Sequence, residues 1–148
     1  MDTNNVKGDT TEIETLLAFT RLGYPVSLPY SHKEKYDLLV DIAGKVIKVQ
    51  CKTCTEGRNF GTIEVDLRRK TYNHGERSFS HYGEDEVDYF ATTYGGKCYL
   101  LPASECNSRK VLRLDPPLNN RETAINWANN YELEKMIKII LEDKKDER

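Results

Sequence analysis

The feature that most restricts this chain is a pair of strand-like runs, Tyr36 to Ile42 and Val46 to Thr53, joined through Ala43-Gly44-Lys45. Alternating apolar residues on either side of a glycine-bearing turn mark a β-hairpin. A loop of two or four residues makes cross-strand partners sum to an odd number, as in 37 with 50 or 37 with 52. Side chains alternate faces along each strand. Asp37, Leu39 and Asp41 then share a face with Lys48, Gln50 and Lys52, while Val40 and Ile42 share the other with Ile47, Val49 and Cys51. One face is apolar, and the other gathers a carboxylate, an amide and an ammonium. A three-residue loop would reverse the parity and separate them.

That polar face suits phosphodiester hydrolysis, in which a divalent cation polarises the phosphate and lowers the pKa of an attacking water. Mg²⁺ prefers oxygen donors, which Asp37, the Gln50 amide and the Cys51 carbonyl can supply. Lys52 can orient the water or offset charge on the pentacovalent phosphorus. The plainer reading is a surface ion pair between Asp37 and Lys52, worth well under ~1 kcal/mol. The pattern alone leaves both open and favours the ion pair. Asp41 and Lys48, nearer the turn, read as an exposed pair.

The remaining segments supply a frame. Asp9 to Leu22 reads as a helix, with Ile13, Leu16, Leu17 and Thr20 as its apolar stripe and Gly23 as its stop. Tyr24 to Pro29 is a short extended piece limited by two prolines. Thr62 to Leu67 alternates like a half-buried strand, and the polar stretch Arg68 to Glu86 reads as a long loop. Val87 to Thr93 and Lys97 to Leu101 form another strand pair around Gly95-Gly96, with Val111 to Leu114 a further short strand. Arg121 to Lys144 is helical in character, broken near Asn129-Asn130, with a stripe of Ile137, Ile140 and Leu141. This order predicts one α/β (α+β) domain over residues 1–148, a central mixed sheet flanked by helices, with 119–148 a C-terminal helical segment.

Of the 148 residues 38% are hydrophobic and 31% charged, an ordinary globular balance rather than a disordered one. No segment approaches a membrane span and the N-terminus lacks a signal-peptide pattern, so the expected location is the cytoplasm. There Cys51, Cys54, Cys98 and Cys106 stay reduced. A zinc ribbon needs two tight pairs, and seven residues separate Cys98 from Cys106. The net charge of −2 hides an uneven distribution. Residues 44–81 carry eight basic side chains against four acidic ones, a balance compatible with a DNA groove.

The run Tyr36-Asp37-Leu38-Leu39-Val40-Asp41, then Gly44-Lys45, then Val49-Gln50-Cys51-Lys52-Thr53 resembles the PD-(D/E)XK nuclease core, with its restriction-endonuclease-like fold. An Asp opens one strand of that core and an acid-x-Lys follows on the next. More closely the chain resembles the group I intron-associated branch of small homing endonucleases. Lys7-Gly8-Asp9-Thr10-Thr11-Glu12, Gly23-Tyr24-Pro25-Val26, Val87-Asp88-Tyr89-Phe90-Ala91, Tyr99-Leu100-Leu101-Pro102, Leu112-Arg113-Leu114-Asp115-Pro116 and Trp127-Ala128-Asn129-Asn130-Tyr131 extend the likeness over nearly the whole chain. The resemblance implies Asp37 as principal metal ligand, Lys52 as catalytic lysine and Gln50 in the acid position. An amide there departs from the general pattern and is usual in the intron-associated branch. It also implies an acid on the first helix beside the metal, for which Glu12 is the candidate. Glu12 has a competing role as the N3 residue of an Asp9-x-x-Glu12 capping box. Asp88 reads as a loop-holding residue outside the site.

The expectation is therefore a metal-dependent, sequence-specific double-stranded DNA endonuclease, with Glu12, Asp37, Gln50 and Lys52 catalytic. Glu12, Asp37, Gln50 and Cys51 are the expected ligands of Mg²⁺, with Mn²⁺ as the expected substitute. Arg58, Arg68, Arg69, Lys70 and Arg77 would contact DNA, with Tyr72, Asn73 and Tyr82 as possible additions. A domain this small would read a long target as a homo-oligomer, a dimer or tetramer. Two alternatives remain: Holliday-junction resolution by the same core, and a non-catalytic DNA-binding module of the same fold.

Overall fold

The structure, a computed structural model, describes residues 3–83, 85–119 and 124–146, with the side chains of 4 and 70–73 outside the description. In chain order it contains α1 (Thr3–Arg21), β1 (Val26–Ser27), β2 (Leu38–Ile42), β3 (Lys45–Cys51), β4 (Cys54–Glu56), β5 (Thr62–Asp66), β6 (Arg69–Asn73), β7 (Glu76–Ser80), β8 (Tyr89–Tyr94), β9 (Lys97–Pro102), β10 (Arg109–Arg113) and α2 (Leu133–Asp146). The central sheet runs β1-β2-β3-β8-β9. Its β3–β8 pair is parallel and its other pairs are antiparallel, giving the expected mixed sheet.

Both helices pack on one face of this sheet. Leu38, Val40, Ile42, Ile47, Val49, Ala91 and Leu100 bury there against Phe19 of α1 and Leu133, Met136, Ile137 and Ile140 of α2. The other face is covered by a second, antiparallel sheet, β10-β5-β4. Ile63, Val65 and Leu112 of that sheet pack with Phe90, Tyr99 and Leu101 of the central one. This second cover extends over β8 and β9, and beyond it the polar face of β2 and β3 opens to solvent.

The hairpin has the parity that brings the polar residues together. Leu38 pairs with Val49, Val40 with Ile47 and Ile42 with Lys45, leaving a two-residue turn, Ala43-Gly44. Both turn residues have positive φ, 52° and 93°, the backbone of a type I′ turn. Asp41 Oδ1 accepts the Gly44 N–H at 2.7 Å, and Lys48 Nζ donates to the Asp85 carbonyl at 2.7 Å. The two side chains expected to pair with each other thus serve the turn and a neighbouring loop. Alanine is strained in this left-handed region, where asparagine is at home. Ala43→Asn should stabilise the protein by about 0.5–1 kcal/mol, read from denaturant unfolding midpoints at unchanged slope.

Four expectations are corrected. The helix α1 begins at Thr3 rather than Asp9, so Asp9 lies inside it and no Asp9–Glu12 capping box exists. Its inward face is lined by Thr11, Thr15 and Phe19, while Ile13 is 66% and Leu17 43% exposed. The threonines tolerate burial because their hydroxyls bond carbonyls one turn back, Thr15 to Thr11 at 2.8 Å and Thr11 to Lys7 at 3.0 Å.

Instead of a long loop, the stretch after Arg68 forms an antiparallel ribbon, β6–β7, turning at His74-Gly75 with positive φ at both. The described part of residues 121–132 is not α-helix. Trp127 bridges Arg113 beside β10, a 3₁₀ turn follows at Ala128–Tyr131, and α2 starts at Leu133. Asp88, just before β8, is tied to strand β3, its Oδ2 accepting the Lys48 N–H at 2.8 Å. Among the described residues no helix is long and apolar enough to cross a membrane.

Candidate active site

Asp37 stands one residue before β2, and its backbone N–H donates to the Val49 carbonyl at 2.8 Å, which continues the hairpin register. Its carboxylate Oδ2 accepts the Cys51 N–H at 2.8 Å and so lies across the end of β3. Gln50 and Lys52 flank Cys51 there with the same side-chain parity. Asp37, Gln50, Cys51 and Lys52 all line one open cleft of about 1090 Å³, walled also by Glu64 and Asp66 of β5, by Arg69 and Arg77 of the ribbon, and by Tyr82.

Backbone and side chain both hold Lys52 in place. Its backbone N–H donates to Ala91 of β8 at 2.8 Å, its Nζ donates to the Arg68 carbonyl at 2.9 Å, and the Nζ lies 4.9 Å from the centre of the Tyr82 ring. The α1 helix reaches the same place past the end of β3, where the Thr11 and Thr53 hydroxyls meet at 3.3 Å. That contact sets Glu12, the next residue, beside the site.

The electrostatics are those of crowded carboxylates. Burial raises the Glu12 carboxyl above its ordinary range, and Asp37 and then Asp9 raise it further. Burial also raises Asp37, opposed by the Cys51 N–H and the Lys52 charge. Among the described residues no group of three or more His, Cys, Asp or Glu side chains could hold a metal ion. A hard cation here would draw on two half-buried carboxylates together with the neutral oxygens of Gln50 and the Cys51 carbonyl. This all-oxygen set matches the preference of Mg²⁺, and positive charge placed between repelling carboxylates relieves their cost.

The Cys51 thiol contributes nothing soft to that set. It packs against the helical core, and burial pushes its pKa far above the ordinary thiol value. Burial likewise moves Cys98 to about 12 and Cys106 to about 11, and all four cysteines are free thiols.

Of the arginines singled out in the sequence, Arg69 and Arg77 line the cleft. The Arg68 guanidinium is braced at the ribbon's base, paired with Asp66 at 2.9 Å and stacked 3.9 Å over the Phe79 ring. Arg58 is exposed in a separate hollow with Glu64 and Arg109. The Lys70, Tyr72 and Asn73 side chains lie outside the described residues.

Sequence reasoning did not assign Tyr82 to Lys52, nor did it bring Lys7, Lys33 and Lys35 to the cleft rim. Only their positive charge could have pointed to those lysines. Six lysines and arginines face four carboxylates across the cleft lining, a basic excess inside a chain of net charge −2.

Comparison with known proteins adds two findings. The family profile described as PD-(D/E)XK endonuclease matches residues 1–134. The fold superposes on that of a bacterial homing endonuclease, I-Ssp6803I, with a TM-score of 0.78, 20% identity and coverage of 99% of both chains. A comparison with curated protein sequences finds no match.

Proposed function

Because the chain belongs to the PD-(D/E)XK endonuclease family, we propose that it is a Mg²⁺-dependent endonuclease that cuts double-stranded DNA at a specific sequence, in the manner of a homing endonuclease. The observation that carries this reading is the convergence of Asp37, Gln50 and Lys52 in one open, predominantly basic cleft. Asp37 in the cleft and Glu12 on the adjoining helix, close enough to feel the Asp37 charge, would bring the negative charge, and Gln50 and the Cys51 carbonyl would complete the oxygen donors. Mn²⁺ substitutes as another oxygen-binding cation. When bound, the cation polarises the phosphate and supplies a water of lowered pKa.

The Lys52 ammonium faces the same space, fixed in advance, and offsets the charge that grows on phosphorus. Arg69 and Arg77 hold the phosphate backbone at the cleft wall, with Arg68 at the ribbon's base and Arg58 in its separate hollow as further DNA contacts. One cleft per chain cuts one strand, so breakage of both strands of a duplex calls for a homo-oligomer, a dimer or a tetramer.

The test is cleavage of randomised linear duplex and of a four-way junction, with Mg²⁺, Mn²⁺ or EDTA. Recurrent cutting of the duplex with either metal, absent in EDTA, is the expected outcome. Preference for the junction would make the protein a resolvase. Binding without scission of any DNA in either metal would make it a non-catalytic module.

Arg69→Ala and Arg77→Ala should each weaken DNA binding alike on all sequences. Each should lower the slope of log affinity against log salt by about 1, measured by fluorescence anisotropy over a salt series. A loss confined to one sequence would instead assign that arginine to base reading.

A further inference from the structure

The two feet of the β6–β7 ribbon meet at Lys52. Arg68, whose carbonyl accepts the Lys52 Nζ–H at 2.9 Å, is the residue just before β6. Tyr82, whose ring lies 4.9 Å from the same nitrogen, stands two residues past the end of β7. The Tyr82 ring is itself braced edge-on against Phe90 of β8, with centroids 5.3 Å apart at 72°, and Phe90 is buried. On the ribbon itself, the Phe79 ring has the guanidinium of Arg68 at 3.9 Å and that of Arg77 at 5.2 Å from its centre.

We propose that Tyr82 is a positioning residue for the Lys52 ammonium, and that the ribbon carrying Arg77 into the cleft thereby sets the geometry of that lysine. The proposal rests on the nuclease reading given above.

The argument begins with lysine itself. Position 52 lies one residue past β3, so the ladder orients its backbone while four rotatable bonds leave its nitrogen loose. The Arg68 carbonyl takes one of the three N–H donors and fixes a distance but not a direction. The face of an aromatic ring attracts an ammonium and supplies the second surface. The phenol hydroxyl is not needed for this. Burial foremost, then the nearby Asp37 charge, pushes its pKa to about 12, so Tyr82 remains a neutral ring rather than a proton carrier.

The Arg68 carbonyl and the Tyr82 ring belong to the ribbon's base, and Arg68 is also clasped by Asp66 and stacked on Phe79. A duplex gripped through Arg77 would act on the ammonium through these feet.

The test compares Tyr82→Leu, which removes the ring, with Tyr82→Phe, which keeps it. Tyr82→Met, which also fills the space against Phe90, serves if the leucine variant does not fold. With saturating protein and Mg²⁺, the single-turnover cleavage rate should fall about 10- to 100-fold in Tyr82→Leu while the DNA dissociation constant stays within about twofold, because misplacing a catalytic group by about 1 Å costs rate rather than binding. Tyr82→Phe should restore most of the lost rate.

A readout independent of cleavage is the ε-methylene resonance of Lys52 in protein with ¹³C-labelled lysine, assigned by its loss in Lys52→Arg. The ring should shift it upfield in the parent and in Tyr82→Phe, and it should return to the ordinary lysine position in Tyr82→Leu. Parent-like cleavage by Tyr82→Leu, or an unshifted Lys52 resonance in the parent, overturns the proposal. If the parent cuts no DNA yet shows the shift, the nuclease reading falls while the Lys52–Tyr82 placement stands on its own signal.

Discussion

Asp37→Asn should abolish metal-dependent cleavage and leave the cation-free protein at least as stable as its parent. The loss of activity should exceed about 100-fold, since even the outer partners of metal ligands cost about 10- to 100-fold when removed. The effect on stability follows from burial, which is the largest cause of the raised Asp37 carboxyl. A carboxyl whose folded pKa lies above its unfolded value favours folding when protonated, at pH below the ordinary aspartate range. That contribution is lost as pH rises through the folded value.

Near neutrality the ionised Asp37 is therefore a net cost, and Glu12, raised in the same direction, adds to it. The cation-free parent should gain stability from these two groups as pH falls from 7 toward their titration range. Asparagine removes the Asp37 charge and keeps an oxygen for the Cys51 N–H now bonded at 2.8 Å. A cation at about 100 times its dissociation constant should stabilise the parent by about 2.7 kcal/mol, or about 5–10 °C in a domain of this size. Asp37→Asn should forfeit most of that rise. Thermal unfolding with and without Ca²⁺ or Mg²⁺, at pH 5 and pH 7.5, measures both effects. An Asp37→Asn protein that still cuts DNA, or that keeps the full cation-induced rise, would remove Asp37 from the site.

The hairpin that carries this residue was readable in the sequence because burial enforces alternation. Val40, Ile42, Ile47 and Val49 must all face the helices, and only registers of one parity achieve that. The other elements were less legible for physical reasons that differ from case to case. The described β7 residues of the ribbon are exposed throughout, so no face is selected for apolarity and no period appears. The start of α1 carries Thr3, Asn5 and Lys7 on exposed positions, which leaves capping residues as the only cue and made Asp9 look like a terminus.

The inward face of α1 was misread because threonine counts as polar, while Thr11 and Thr15 are buried with their hydroxyls satisfied by the helix itself. For Glu12 this reversal helped the functional reading, since the longer helix removed its capping role and left a half-buried carboxylate beside Asp37. Tyr82 was singled out in the sequence only as an additional DNA contact, and its place beside Lys52 left no sign there. A ring–ammonium contact across 30 positions leaves no trace in local pattern, and it exists only because β6 and β7 bring residues 68 and 82 back to one point.

Lys52→Met is expected to lose at least about 100-fold in cleavage rate, the scale found when one preorganised charge-stabilising donor is removed, while DNA affinity changes little. Methionine keeps the apolar stem and deletes the charge together with the Nζ hydrogen bond to the Arg68 carbonyl. The anchor of position 52 to β8, its backbone N–H to the Ala91 carbonyl, survives the substitution. Binding of a duplex draws on the whole basic cleft, of which Lys52 is one of six cationic side chains.

The catalytic step is different, for it needs positive charge where the phosphate becomes more negative. Interactions stronger in the transition state than in the bound state raise the rate without tightening binding. The variant should also respond to pH. The Lys52 charge lowers the Asp37 carboxyl, so its loss should raise that carboxyl further. A cation competes with the proton for Asp37, and the acid limb of any residual activity should therefore move to higher pH. Single-turnover rates from pH 5.5 to 9, with binding isotherms in Ca²⁺, separate the two effects. A Lys52→Met protein whose rate loss matched an equal loss of affinity would mean that this lysine only holds DNA, and its place in the chemistry would be gone.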